Sequence, residues 1–61
     1  MCESSIVKRE GKSEKMVAED IDFVKILPGN KILIRTIMGK ETEIDGSIDE
    51  IDLHRHRVFL K

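Results

Sequence analysis

The apolar positions of the chain form short segments separated by turn-forming residues, and no window has the spacing of an amphipathic helix. The clearest stretch is DFVKILPGNKILIRTI, in which two β-branched runs flank Pro28-Gly29-Asn30. Proline fixes φ for a turn, whereas glycine and asparagine tolerate positive φ, so this stretch predicts a hairpin. Applied to the whole chain, the pattern predicts strands at residues 2–9, 14–20, 22–27, 31–37, 41–45, 48–53 and 57–61.

Six or seven short antiparallel strands in 61 residues indicate a single all-β domain spanning residues 1–61. A flat sheet of this size would leave two edges open to pairing with other chains. Curling the meander into a small barrel removes those edges. The sequence therefore predicts a small SH3-like antiparallel barrel.

The segment Ile32-Leu33-Ile34 places apolar side chains on both faces of one strand. One face can fill a barrel interior, and the other requires a second partner. A chain of this length buries only about 60% of its unfolded surface, and its single cysteine excludes an internal disulfide. We therefore expect a homodimer with a two-fold interface. The alternative is a monomer whose central strand is buried on both faces.

The charge of the chain is balanced, with 11 Lys and Arg against 12 Asp and Glu. This balance gives no overall attraction to nucleic acid or to anionic lipid. No apolar run approaches the ~18 residues of a membrane helix, and MCESSIVKRE lacks the apolar core of a signal peptide. We expect a cytoplasmic protein with a reduced thiol and no membrane association. The sequence contains no nucleophile–base set and no glycine-rich phosphate loop, so we expect no enzymatic activity.

RNA binding is an alternative function, because small β-barrels bind RNA and basic residues could cluster near the C-terminus. Against it, the only aromatic residues, Phe23 and Phe59, are predicted in the core, where they cannot stack on bases. A protein-interaction module without a ligand is a further alternative. The basic residues considered are Arg35, Arg55, Arg57 and Lys61.

The N-terminus has the donors of a transition-metal site. The thiolate of Cys2 is a soft ligand, and the α-amino group is a nitrogen donor. If Met1 is retained, its backbone amine, the amide nitrogen of Cys2 and the thiolate can lie in one plane. If Met1 is removed, Cys2 forms a five-membered chelate, and two subunits together supply an N2S2 square. Both arrangements suit square-planar Ni(II) or Cu(II) better than tetrahedral zinc.

His54 and His56 are secondary metal candidates. They flank an arginine in HRHR, and on a strand they would share one face. Leu53 and Val58 are predicted to be strand residues, however, which places both histidines in the connecting turn. We therefore expect a weaker site at most.

The chain begins with Met1-Cys2-Glu3 and has a strand-turn pattern over its whole length. An IDL step at residues 51–53 precedes a turn and a final apolar strand. In these features the chain resembles the CooT family. These are small nickel-binding accessory proteins for carbon monoxide dehydrogenase maturation. The resemblance implies an SH3-like homodimeric barrel that binds Ni²⁺ through Cys2, with the amine at Met1, for delivery to an acceptor such as carbon monoxide dehydrogenase. In the family the final turn need not hold histidines, so His54 and His56 are peculiar to this chain.

Overall fold

The computed structural model describes residues 3–61, and all its regular elements are β-strands. The all-β class and the lower of the two predicted strand numbers are thereby confirmed. The strands are β1 Ser4–Glu10, β2 Ser13–Leu27, β3 Lys31–Thr36, β4 Glu41–Asp45, β5 Ile48–Asp52 and β6 Arg57–Leu60.

The six strands form one sheet in the order β4-β3-β2-β1-β6-β5. All neighbours are antiparallel except β1 and β6, which pair in parallel, so the prediction of an entirely antiparallel sheet is wrong for this pair. The cause is the connection from β4 to β5: only Gly46 and Ser47 separate them, and the chain continues in the same direction. Since β4 and β5 are the two edges and do not pair with each other, the sheet formed by residues 3–61 is not closed into the predicted barrel.

Strand β2 is one long bent strand where the sequence predicted two, at residues 14–20 and 22–27. Ala18 of β2 pairs with Ile6 of β1, and Ile21 of β2 pairs with Ser4 of β1. Between these two pairs, β2 therefore contains one residue more than β1. The extra residue is accommodated in a β-bulge, in which Asp20 has a φ of 57°. Further register shifts occur between Ile6 and Val7 and between Ile21 and Phe23. These bulges bend β2, so that its first half pairs with β1 and its second half with β3.

The predicted hairpin at residues 28–30 is confirmed. Leu27 pairs with Lys31, and the positive φ angles fall on Gly29 at 80° and Asn30 at 61°. The carbonyl of Asn30 also accepts a hydrogen bond from the backbone N–H of Gly46 at 2.8 Å. The turn therefore anchors the corner between β4 and β5.

The core lies on one face of the curved sheet and is built from aliphatic side chains of β1, β2, β3 and β6. Buried Val7 and Phe59 lie on the opposite face, next to each other across the β1–β6 pair. The prediction that both phenylalanines are core residues is wrong for Phe23, which is 38% exposed. The buried cluster consists of Ile6, Ile21, Ile32, Ile34, Val58 and Leu60.

Residues 3–61 include no helix with the length and apolar character needed to cross a bilayer.

Candidate functional site

The chain enters the sheet at the start of β1. Ser4 pairs with Ile21 of β2, and Ser5 pairs with Arg57 of β6. The backbone N–H of Ser5 donates a hydrogen bond to the carbonyl of His56 at 2.9 Å. The predicted ligands at Met1 and Cys2 lie outside the described residues. In the sequence, Cys2 precedes Ser4, the first paired residue among those described, by two positions.

The histidine turn, residues 53–56, lies beside this entry point. The carboxylate of Asp52 accepts a hydrogen bond from the backbone N–H of Arg55 at 3.0 Å, and His56 has a φ of 56°. Both histidines are exposed turn residues, as predicted, whereas β5 ends at Asp52, so the extension of that strand to Leu53 is wrong. Within residues 3–61, no three His, Cys, Asp or Glu side chains are grouped closely enough to hold a metal ion.

On the other side of the entry point, β2 and β3 meet the turn at residues 37–40. The backbone N–H of Ile37 donates to the carbonyl of Asp20 at 2.8 Å, one strand away from Ser4. Three exposed apolar side chains lie on these two turns, Ile37 and Met38 on one and Leu53 on the other. Met38 and Leu53 are 88% and 79% exposed. The chain therefore enters the sheet between two turns that carry exposed apolar side chains.

Two of the basic residues considered for RNA binding are held by carboxylates. The guanidinium of Arg35 bonds Asp22 at 3.2 Å and lies 4.7 Å from the centre of the Phe23 ring. That of Arg55 lies 3.9 Å from Asp52. Although Phe23 is partly exposed, Arg35 already stacks on its ring, and this stacking competes with a nucleobase. Arg57 and Lys61 are exposed, and no aromatic residue is paired with either in residues 3–61.

Sequence reasoning missed the network around Arg9. Its guanidinium bonds Glu50 at 2.7 Å and Asp49 at 3.0 Å, and it stacks 4.0 Å above the ring of Phe59. The hydrogen bond to Glu50 raises the pKa of Arg9 above its ordinary value. No local pattern could reveal this contact, because Asp49 and Glu50 lie 40 and 41 residues after Arg9 in the sequence. The network covers the second apolar face of the sheet at Phe59.

Comparison with known proteins gives consistent results. The family model described as CO dehydrogenase accessory protein CooT matches residues 1–61. A crystal structure of a candidate CooT from Carboxydothermus hydrogenoformans superposes with a TM-score of 0.83 and 29% identity, covering 97% of this chain and 94% of that chain. An uncharacterised protein from Methanothermobacter thermautotrophicus is 30% identical over 61 residues, which is 100% of this chain and 89% of that protein.

Proposed function

Because the chain belongs to the CooT family of CO dehydrogenase accessory proteins, we propose that it binds Ni(II) at its N-terminus and delivers the ion to CO dehydrogenase. Membership of the family implies the accessory role and, with it, a protein that assists an enzyme. The observation that supports the finer proposal is that the family match includes residues 1 and 2, which supply an amine and a thiol in sequence.

The donors of this terminus fit nickel as cargo. The Cys2 thiolate is the essential ligand, since it alone distinguishes this terminus from that of any other peptide. The backbone amine of Met1 and the amide nitrogen of Cys2 supply nitrogen in the same plane, and Ni(II) accepts square-planar nitrogen and sulfur coordination. The amine and the thiol must each lose a proton before they bind, and the amide nitrogen of Cys2 must also lose its proton where it is a ligand, so nickel uptake releases protons.

We further propose that two chains form a cytoplasmic homodimer and bring their termini together. In that arrangement each chain contributes nitrogen and sulfur to one ion when Met1 has been removed. The sheet acts as the support: β1, which begins at Ser4, is hydrogen-bonded to β2 on one side and β6 on the other. A site at the tip of the chain is open to an incoming thiolate, and the acceptor can replace the ligands one at a time.

A nickel titration tests this proposal. Wild type and Cys2→Ser are titrated with Ni(II) under reducing conditions and followed by calorimetry and ultraviolet absorption. We expect a thiolate-to-nickel charge-transfer band in wild type and its loss in Cys2→Ser. One ion per two chains supports the shared site, and one ion per chain supports the chelate that includes Met1.

The matched control is the double variant His54→Asn/His56→Asn. Asparagine tolerates the positive φ of residue 56, so the turn is retained. This variant is expected to keep the charge-transfer band. Equal nickel binding by wild type and Cys2→Ser, combined with loss of binding in the histidine variant, would contradict the proposal and assign the metal to the turn.

A further inference from the structure

The negative charge of the chain is concentrated on the two edge strands. Residues 41–52 include β4 and β5 and contain six acidic residues and no basic one. All eleven basic residues and the other six acidic residues lie in the rest of the chain. Both edge strands of the sheet are thus acidic, and the two strands differ in how these charges are compensated.

On β5, the carboxylates are compensated within the chain. Asp49 and Glu50 both bind the guanidinium of Arg9, at 3.0 and 2.7 Å, and Asp52 bonds the backbone N–H of Arg55 at 3.0 Å. The Arg9 guanidinium binds these two carboxylates while it stacks on the ring of Phe59 in β6.

On β4, Glu41, Glu43 and Asp45 have no cation within ion-pair distance among residues 3–61. They share one face of the strand because alternate residues point to the same side. Ile44 lies on the other face, against the core. Arg35 is opposite Glu41 in the ladder, but its guanidinium is bonded to Asp22 instead.

The free side of β4 is also an open continuation of the sheet. At the corner between β4 and β5, the backbone N–H of Lys61, which follows β6, donates a hydrogen bond to the carbonyl of Ser47 at 3.0 Å. Beyond this corner, β4 pairs only with β3. An edge strand presents unpaired N–H and C=O groups on its free side, which an extended chain can use.

We propose that β4 is a docking edge for an extended, basic segment of a partner protein. The segment adds to β4 as a further strand, with Lys or Arg at alternate positions opposite Glu41, Glu43 and Asp45. A second copy of the chain fits this edge poorly, because pairing β4 with β4 places carboxylates opposite carboxylates. The inference depends on charge and strand pairing alone and does not require nickel binding.

The probe is a short synthetic peptide of alternating arginine and valine, titrated against the full chain by fluorescence anisotropy. The triple variant Glu41→Gln/Glu43→Gln/Asp45→Asn is expected to bind about tenfold more weakly than wild type, since three opposite-charge cross-strand pairs are lost. The matched control Glu10→Gln/Glu14→Gln/Glu19→Gln removes as many carboxylates from β1 and β2 and is expected to bind like wild type.

Two further arms separate strand addition from general charge attraction. An arginine–valine peptide methylated on alternate backbone nitrogens keeps its charges but loses hydrogen-bond donors, and we expect its binding to be lost. Hydrogen exchange of residues 41–45 should slow only with the unmethylated peptide. Equal binding of both peptides, equal loss in the two triple variants, or no binding of the probe would overturn the proposal. Protection of β4 by a higher concentration of the protein alone would assign the edge to a second copy and would also overturn it.

Discussion

Replacing Ile6 by alanine should remove a large part of the stability of this protein. Ile6 is 0% exposed and lies on β1, with β2 on one side and β6 on the other. Truncation of a buried isoleucine to alanine costs about 2–5 kcal/mol, through lost transfer free energy and the cavity left behind. At about 0.05–0.15 kcal/mol per residue, a chain of 61 residues has roughly 3–9 kcal/mol in total. The variant is therefore expected to be partly unfolded or close to it.

The assay is urea denaturation followed by circular dichroism under reducing conditions, at two protein concentrations. Ile26→Ala is the matched control, because it makes the same chemical change at a side chain that is 71% exposed. It should alter the free energy of unfolding by no more than about 0.5 kcal/mol. Ile6→Val should fall between them, at about 0.5–1.5 kcal/mol. Equal destabilisation by Ile6→Ala and Ile26→Ala at both concentrations would refute the assignment of the core. Destabilisation by Ile26→Ala that depends on concentration would instead indicate that a second chain covers this side chain.

Three further predictions concern the turns and the terminus. Gly29→Ala should destabilise the fold by about 1–2 kcal/mol in thermal unfolding, because φ is 80° at this residue, and Gly29→Asn should lose less; equal losses would show that the backbone angle is not the cause. Asp52→Ala should cost about 0.5–1.5 kcal/mol through the lost hydrogen bond to the Arg55 N–H, whereas Asp52→Asn keeps an acceptor and should cost less. Nickel affinity measured by calorimetry should fall as the pH decreases below about 8, where the α-amine and thiol become protonated; an affinity independent of pH from 6 to 9 would argue against both ligands.

The strands and the hairpin were predictable because their signals are local. Short apolar segments separated by turn-forming residues, and the Pro28-Gly29-Asn30 sequence itself, determine backbone conformation within a few residues. The continuity of β2 was not predictable in this way. Glu19-Asp20-Ile21-Asp22 has the polarity of a turn. In the structure, however, Asp20 with its positive φ lies in a β-bulge of the β1–β2 pair, and β2 continues past it. Only tertiary pairing distinguishes a bulge from a strand end.

The parallel pairing of β1 with β6 and the network around Arg9 depend on contacts between the two ends of the chain. Neither can be predicted from a short stretch of sequence, because the paired residues are far apart: Ser5 pairs with Arg57, which lies 52 positions later. The partial exposure of Phe23 has a similar origin, because Arg35 stacks on its ring where a core neighbour was expected. The metal ligands at Met1 and Cys2, in contrast, were inferred from residue chemistry and from family resemblance, and they remain a proposal.

The most direct test of the central claim is X-ray absorption at the nickel K-edge of the loaded protein. The account predicts a square-planar pre-edge feature and a shell of nitrogen and sulfur scatterers, with the sulfur absent in Cys2→Ser. A spectrum that contains only imidazole nitrogen or oxygen around nickel, unchanged by Cys2→Ser, would contradict it.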